Sequence, residues 1–339
     1  MLYVKVEIMA NWENKEIILE NGEKTVAQAP VIISASRATD IPAFFAKWFQ
    51  RRFDIGYVKW TNPFNGKPIY VSFENARLIV FWSKNPKPMI EHLDYFDKKE
   101  VNYYFQYTLN DYEIERFEAG VPSKKERIET FKELSSRLGK DRVVWRFDPL
   151  LITRDLSPDV LLKRLKILGD ELVKYTNKLV FSFADIGSYR KVQNNLREIP
   201  YIEFNEAIML YMGEQIGKMA KEWGIEVGTC SEKIDLNKFG IVHNKCIDDE
   251  LIARNFSDDV KLMDFLGLEI DIFGQITHKK NIKDKGQRED CGCVIAKDIG
   301  QYNTCIHRCV YCYANTSKET AFKNYQKYRL NPNCEGILV

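Results

Sequence analysis

Residues 77–85, RLIVFWSKN, form a nearly unbroken apolar run that ends in polar residues. Such a run is typical of a strand that is buried on both faces of a parallel sheet. The next segment, KPMIEHLDYFDKK at 87–99, is helix-like. Because a strand followed by a covering helix is the repeating unit of α/β folds, this stretch predicts an α/β architecture.

The same alternation recurs along most of the chain. Seven or eight strand–helix units favour a (β/α) barrel over an open sheet. One barrel domain is predicted over 29–339, and YVKVEIM with KEIILENG predicts a small β-hairpin extension over 1–28. The predicted barrel strands are VIISASR (31–37), RLIVFWSKN (77–85), NYYFQYTLN (102–110), RVVWRFD (142–148), KLVFSFAD (178–185), IEVGTCSE (225–232) and AKDIGQYNT (296–304), with GYVKWTN (56–62) as a candidate eighth strand.

Polar residues follow the apolar part of each predicted strand. The carboxyl ends of barrel strands meet at one mouth, so these side chains are expected to form a polar ring there. The alternative for any single member is that strand ends are polar because they lead into loops. The ring comprises Ser36, Arg37, Asp40, Ser83, Lys84, Asn85, Gln106, Thr108, Arg146, Asp148, Asp185, Thr229 and Glu232.

Composition narrows the class of protein. The 339 residues are 45% hydrophobic and 29% charged, which is a globular composition. A net charge of +2 provides no broad basic field and therefore no strong nucleic-acid signal. The N-terminal residues contain neither a signal-peptide core nor a membrane-spanning run, which predicts a cytoplasmic protein without a membrane partner. Eight cysteines in that reducing compartment indicate metal or redox chemistry.

The most informative motif is NTCIHRCVYCYAN at 303–315, where Cys305, Cys309 and Cys312 have the spacing C-x3-C-x2-C. A short loop with this spacing turns three thiolates toward one centre, and thiolates are the usual ligands of iron–sulfur clusters. Three ligands leave one iron open, which distinguishes a working metal site from a structural one.

CIHRCVYC resembles the signature of the radical S-adenosylmethionine (SAM) superfamily. The resemblance implies a [4Fe–4S] cluster on the three cysteines, whose open iron binds SAM. One electron then cleaves SAM to a 5′-deoxyadenosyl radical, which abstracts hydrogen from a substrate that the sequence leaves unknown. It also implies oxygen sensitivity, a full or partial (β/α) barrel, and a low-potential electron donor such as flavodoxin or ferredoxin.

The chain as a whole resembles the DUF1848 family, over roughly residues 31–315. The stretches that carry this resemblance are ISASRATDIPAFFAKWF, IVFWSKNPKPM, WRFDPLL and CGCVIAKDIGQYNTCIHRCVYCYAN. The cysteine loop follows the last predicted strand, whereas it follows the first strand in most radical SAM proteins. A circular permutation explains this position: DIGQYNT (298–304) becomes the displaced first strand and is expected to pair with 31–36. SASRATD stands where the superfamily has a glycine-glycine-glutamate motif.

Four further cysteines predict a second metal site in and before the cluster region 286–316. Cys230 and Cys246 lie in one loop region, and CGC supplies Cys291 and Cys293. We expect an auxiliary iron–sulfur cluster on all four thiolates. The alternatives are a zinc ion, which prefers the same ligands, and unligated buried thiols. His243 is a fallback ligand, whereas His307 is expected to be a loop residue.

Six residues are expected to contact the cofactor. For Arg37 and Asp40 the alternative is an ion pair with each other. Arg146 and Asp148 share one strand face at i, i+2 spacing, and mutual neutralisation is again the alternative. Cys334 is a candidate catalytic hydrogen donor, although a tail thiol is usually a solvent-exposed group. The six expected contacts are Arg37, Asp40, Arg146, Asp148, Asn303 and Tyr311.

The sequence therefore predicts a radical SAM enzyme on a permuted (β/α) barrel, with an auxiliary cluster. Two rival functions keep a metal and drop the radical. One is an iron–sulfur electron-transfer or sensor protein without SAM chemistry. The other is a zinc-stabilised nucleic-acid-binding protein.

Overall fold

The computed structural model describes residues 12–271 and 273–338. The strands are β1 (Glu13–Ile18), β2 (Lys24–Ala29), β3 (Ile32–Ala35), β4 (Tyr57–Thr61), β5 (Pro68–Ser72), β6 (Leu78–Ser83), β7 (Asn102–Thr108), β8 (Val143–Leu150), β9 (Ile152–Thr153), β10 (Lys178–Phe183), β11 (Tyr201–Ile202), β12 (Glu226–Thr229), β13 (Val242–His243), β14 (Leu268–Ile270), β15 (Ile276–His278) and β16 (Lys297–Asp298). The helices are α1 (Ile41–Phe44), α2 (Ala46–Ile55), α3 (Lys87–Ile90), α4 (Leu93–Lys98), α5 (Lys124–Leu138), α6 (Pro158–Leu172), α7 (Arg190–Asn195), α8 (Glu206–Trp223), α9 (Asp249–Phe256), α10 (Val260–Leu266) and α11 (Lys318–Leu330).

A large parallel sheet of eight strands organises the chain, in the order β13-β12-β10-β8-β7-β6-β3-β16. Every neighbouring pair in it is parallel. The seven principal predicted strands all lie in this sheet, and helices connect most of them. The predicted α/β class is therefore confirmed as a mixed α/β fold with a large parallel sheet.

Strand β16 comes from the C-terminal part of the chain, yet it lies at the edge of the sheet beside β3, the strand of this sheet that comes first in the sequence. Lys297 pairs with Ile33, and Asp298 pairs with Ser34, in parallel. The Ile299 amide extends this contact by donating to the Ser34 carbonyl at 3.1 Å. The segment that follows β16 carries the three-cysteine motif, so this pairing places the motif at the carboxyl end of β3.

The candidate eighth strand at 56–62 was assigned to the wrong sheet. It forms β4, which pairs with β5 antiparallel in a separate sheet of order β1-β2-β5-β4. The eighth strand of the large sheet is instead β13, which pairs with β12. The turn in TNPFNG, where the Gly66 amide donates to the Asn62 carbonyl at 2.9 Å, returns the chain as a hairpin, so that β4 finds its partner locally.

The predicted N-terminal hairpin is described only in part. YVKVEIM lies outside the described residues. KEIILENG contributes most of β1, which pairs antiparallel with β2. Glu13 lies opposite Ala29 at one end of this pairing, and Ile18 lies opposite Lys24 at the other. The division into an extension and one barrel domain stays a prediction.

Side chains of the large sheet alternate between two apolar cores, as the two-residue period of a strand requires. One face packs against the helices that connect the strands, with Ile79, Phe81 and Phe105 at its centre. The other face carries Val80, Tyr104 and Val144 and is covered by the chain segments of α9, α10 and 291–294. Trp82, Gln106 and Arg146 continue this second face toward the strand ends. The polar site residues therefore lie at the end of an apolar layer.

Within the described part of the chain, no helix combines the length and apolar character needed to cross a membrane.

Candidate metal sites

The three-cysteine loop is held closed by hydrogen bonds between its two ends. The Asn303 amide donates to the Ala314 carbonyl at 3.2 Å, and the Asn315 side chain donates to the Cys305 carbonyl at 2.7 Å. Asn303 has a positive φ of 60°, which bends the chain at the loop entrance. Its own carbonyl accepts from Asn324 on α11 at 2.9 Å. Asn303, a predicted cofactor contact, thus shapes the loop.

The three thiols lie close enough to influence one another. Burial raises the pKa of all three, because a thiolate loses water there. Cys309 is buried, whereas Cys305 and Cys312 are half-buried. For Cys309, the Lys84 ammonium opposes this rise in pKa, while Cys305 and Cys312 add to it. The thiols are therefore protonated on their own, and a bound cation would deprotonate them.

Asp40 fastens the cysteine loop to the first two strands of the chain's large sheet. Its carboxylate accepts from Ser83 Oγ at 2.7 Å, the Lys84 amide at 2.7 Å and His307 Nε2 at 2.6 Å. It also caps α1 through the Ala43 amide at 2.9 Å. Both carboxylate oxygens are thus occupied by the protein. Asp40 therefore joins three loops and has no described contact with Arg37, and its role as a cofactor contact stays a prediction.

A buried polar network lies beneath Cys309 and centres on Glu118. Its carboxylate accepts from Lys84 Nζ at 2.7 Å, Asn110 Nδ2 at 3.0 Å and Arg127 Nη1 at 3.3 Å, and from the Tyr311 hydroxyl. Burial by itself raises the pKa of Glu118, but Lys84 and Arg127 lower it to about 2. Tyr311, a predicted cofactor contact, is buried in this network and receives a hydrogen bond from Lys84 Nζ at 3.0 Å.

Sequence reasoning missed Glu118, which lies between β7 and α5 with no local motif. The segment around it runs alongside the cysteine loop. Glu118 and Cys309 form an antiparallel bridge, and the Val310 amide donates to the Phe117 carbonyl at 2.9 Å. The Gly120 amide donates to the His307 carbonyl at 2.7 Å. The loop is therefore supported along its length by backbone from a distant part of the chain.

Replacing Gly120 with alanine is expected to displace this support. A Cβ at Gly120 would lie 2.5 Å from the Ile306 carbonyl oxygen and 2.7 Å from that of His307. Both atoms are backbone, so relief requires the cysteine loop to move. We expect destabilisation of about 1–3 kcal/mol, typical of overpacking, and weaker metal retention. Chemical denaturation and metal analysis after reconstitution measure the two effects.

Gly187→Ala is the matched control, because a Cβ there would meet only the Glu203 side chain, at 3.9 Å. Equal stability of the two variants would show that the contact between residues 117–120 and the cysteine loop does not stabilise the protein.

The four other predicted ligand cysteines come together from three separate segments. Cys230 Sγ lies 3.4 Å from Cys246 Sγ, and the Cys246 amide donates to Cys293 Sγ at 3.2 Å. The Ile247 amide donates to the same sulfur at 3.4 Å. A hydrogen bond with Cys293 lowers the pKa of Cys291 to about 7. The donor set is four thiols, of which Cys246 and Cys293 accept N–H bonds, and its chemistry suits a thiophilic metal or cluster.

None of the cysteines in the described chain forms a disulfide bond. Within residues 12–271 and 273–338, no three His, Cys, Asp or Glu side chains are arranged as ligands around a metal ion. His243 is exposed and stays a prediction as a fallback ligand.

Arg146 links the polar ring to the four thiols. Its Nη1 donates to Cys246 Sγ at 3.0 Å and to Gln106 Oε1 at 3.1 Å. Its Nε donates to Asp148 Oδ2 at 3.1 Å, so the predicted alternative of mutual neutralisation is present in the structure. The second Asp148 oxygen accepts from the Ser182 hydroxyl. Both residues are therefore occupied within the protein.

Arg37 is placed differently, because its side chain has no hydrogen-bond acceptor among the described residues. Its amide donates to Asp298 Oδ2 at 2.8 Å, but the buried Nη2 atom has no partner. The guanidinium lies 5.3 Å from the centroid of the Trp82 ring, and Arg146 lies at the same distance from that ring. The indole Nε1 of Trp82 is also buried without a partner. Two unpaired donors thus lie at the strand ends.

Glu232, another member of the predicted ring, carries a titratable carboxyl group at the same end of the sheet. It accepts from the Phe183 amide at 2.8 Å. Burial raises its pKa to about 7, and the Asp148 carboxylate contributes to this rise. Glu232 is therefore able to exchange a proton near neutral pH.

Cys334 lies apart from both cysteine groups in its described contacts. Its carbonyl accepts from Trp48 Nε1 on α2 at 2.8 Å, and its amide donates to the Asn331 carbonyl at 3.2 Å. Burial raises the pKa of its thiol. The candidate role as hydrogen donor stays a prediction that none of these contacts supports.

A family model described as "Domain of unknown function (DUF1848)" matches residues 32–314. No curated protein and no solved structure matches the chain.

Proposed function

The chain belongs to the DUF1848 family, and from that premise we propose that it is a radical SAM enzyme acting on an unidentified substrate. The observation that carries the proposal is the placement of Cys305, Cys309 and Cys312. They lie in one braced loop, at the carboxyl end of strands β16 and β3. That end of a parallel sheet is where α/β enzymes place their reactive groups.

A [4Fe–4S] cluster on these three thiolates would supply the electron that cleaves SAM. The chain's own residues keep the loop in place and control its surroundings. Asp40 and His307 hold the loop against β3 and β6, and Glu118 supports Cys309 from below. The Lys84 ammonium lies 5.3 Å from the Tyr311 ring centroid and contributes positive charge beside Cys309. A buried cation of this kind favours thiolate over thiol.

The proposal includes a closed (β/α) barrel with permuted strand order. β16 would take the place of the usual first strand, followed by β3, β6 and β7, which is the order of the described sheet. A barrel needs no particular chain order, because neighbours in space and not in sequence make the hydrogen bonds.

We also propose that Cys230, Cys246, Cys291 and Cys293 hold an auxiliary iron–sulfur cluster. Four thiolates saturate such a cluster, which suits electron relay rather than substrate binding. The enzyme would work in the cytoplasm with a low-potential flavodoxin or ferredoxin as its reductant, in keeping with eight free cysteines. Glu232 would be available to move a proton during turnover.

Anaerobic reconstitution with iron and sulfide, followed by SAM and dithionite, tests this function. We expect about eight irons per chain and the release of 5′-deoxyadenosine, since two cubane clusters hold about eight irons. About four irons with cleavage would retain the enzyme and assign the four-cysteine site to zinc or free thiols. Bound zinc without iron and without cleavage would contradict the proposal and favour a zinc-stabilised protein.

A further inference from the structure

The four thiols Cys230, Cys246, Cys291 and Cys293 are accompanied by two buried guanidinium groups. Arg146 contacts the sulfur of Cys246 directly, at 3.0 Å. The Arg37 guanidinium lies 5.3 Å from the Trp82 ring centroid, and its buried Nη2 atom has no hydrogen-bond partner. Burial lowers the pKa of this guanidinium, whereas Cys293 and Asp298 raise it. Both arginines flank Trp82, so one aromatic ring holds the two cations in position.

We propose that Arg37 and Arg146 are positioning residues of a thiolate-bound metal centre at these four cysteines, Arg146 through a hydrogen bond to Cys246 and Arg37 through its charge. The proposal rests on the four-thiol part of the proposed function and not on SAM chemistry. It gives the two arginines a partner other than the cofactor carboxylate.

Charge balance supports this assignment. A buried cation is costly unless an anion compensates it. Arg146 has Asp148 as a partner, whereas the Arg37 side chain has no hydrogen-bonded carboxylate in the described chain. Four thiolates around a divalent zinc ion, or around a cubane of two positive charges, leave about two negative charges on the centre. The metal-loaded centre would therefore add negative charge near Arg37, beyond that of Asp298.

Hydrogen-bond donors point to the same conclusion. Cys246 Sγ accepts from Arg146 Nη1 and from Asn244 Nδ2 at 3.3 Å. Cys293 Sγ accepts from two backbone amides. Donors that converge on sulfur stabilise the thiolate form, which is the form that binds metal. Gln106 and Asp148 hold the Arg146 side chain by hydrogen bonds, so the protein itself orients its N–H group toward Cys246 Sγ.

The test uses the full-length chain with Cys305, Cys309 and Cys312 replaced by alanine, so that only the four-thiol site remains. Zinc is the probe, and its affinity is measured by competition with a chromophoric chelator. We expect Arg37→Met and Arg146→Met each to weaken zinc binding about 10–100-fold, the usual cost of removing an outer-shell partner. Arg37→Lys should retain more affinity than Arg37→Met, because it keeps the charge.

Arg164→Met is the matched control, since that arginine pairs with Glu115 and has no cysteine partner among its described contacts. Arg37→Met is the decisive variant if Arg146→Met fails to fold, because removing Arg37 leaves no hydrogen-bond acceptor unpaired. In iron-loaded protein, Arg37→Met should also make the reduction potential of the site more negative, because a nearby positive charge favours the added electron.

Unchanged zinc affinity in a folded Arg37→Met variant would overturn the role of Arg37. Zinc affinity that survives Cys246→Ala would overturn the site itself. Intact zinc affinity together with lost SAM cleavage, when Arg37→Met is made in the otherwise native chain, would assign Arg37 to the cofactor carboxylate. The two zinc-affinity results do not depend on whether the native protein cleaves SAM, so failure of the enzyme proposal and failure of this one are distinguishable.

Discussion

Cys309→Ala is expected to abolish the release of 5′-deoxyadenosine and to lower the iron content by about four atoms per chain. Cys309 is the middle ligand of the three-cysteine loop and the one that is buried, with Lys84 beside it and Glu118 bridged to its backbone. The substitution leaves the cubane with two protein thiolates. No other thiol among the described contacts of the loop is placed to replace Cys309. Iron analysis and product detection after anaerobic reconstitution measure both losses.

Cys334→Ala is the control, because the backbone carbonyl of Cys334 accepts from Trp48 on α2 and the residue has no described hydrogen bond to the three-cysteine loop. We expect full iron content and full cleavage in that variant. Cleavage that persists in Cys309→Ala would remove the three-cysteine loop from the reaction. A hydrogen donor acts on the product radical after SAM has been cleaved, so the candidate role of Cys334 also predicts full cleavage in Cys334→Ala.

Glu118→Gln is expected to destabilise the fold by about 3 kcal/mol near neutral pH. The substitution keeps the shape of the side chain but removes the charge that compensates two buried cations, Lys84 and Arg127. The magnitude follows from the pKa of Glu118, which the two cations lower to about 2 against an ordinary value of 4.5. Chemical denaturation at constant pH measures the difference in free energy of unfolding.

The same carboxylate predicts how stability depends on pH. Its pKa is lower in the folded state than in the unfolded state, so its contribution is complete above about pH 4.5 and is lost as the pH falls toward 2. Glu118→Gln should lack this part of the acid destabilisation. Glu133→Gln, which breaks an exposed ion pair with Lys87, should cost about 0–1 kcal/mol at neutral pH. Equal losses in the two variants would show that burial of the Glu118 network is unimportant.

The α/β class and the position of most strands were predictable from local sequence, and the spacing of the cysteines is read from it directly. Apolar runs such as 77–85 fall on buried strands because a strand covered on both faces must be apolar throughout. The proximity of Cys230, Cys246, Cys291 and Cys293 was also predicted, because soft ligands in a reducing compartment indicate a shared site, whereas a bound metal stays a prediction.

Local sequence failed where the partner of a segment lies far along the chain. Residues 56–62 have the composition of a barrel strand, yet the chain reverses after β4 and pairs it with β5. Glu118 lies in no motif, although it anchors Lys84 and Tyr311. No local pattern identifies such a residue, because its importance comes from burial beside groups that the fold brings to it.

The arginines show the same division most clearly. Their positions at strand ends, and the shared face of Arg146 and Asp148, follow from the two-residue period of a strand and needed only the sequence. The partner of Arg146 could not be predicted in this way, because Cys246 lies 100 positions away in the chain. Alternation along a strand is a local property of the backbone, whereas a buried charge takes whichever partner the packed sheet and its covering segments place beside it.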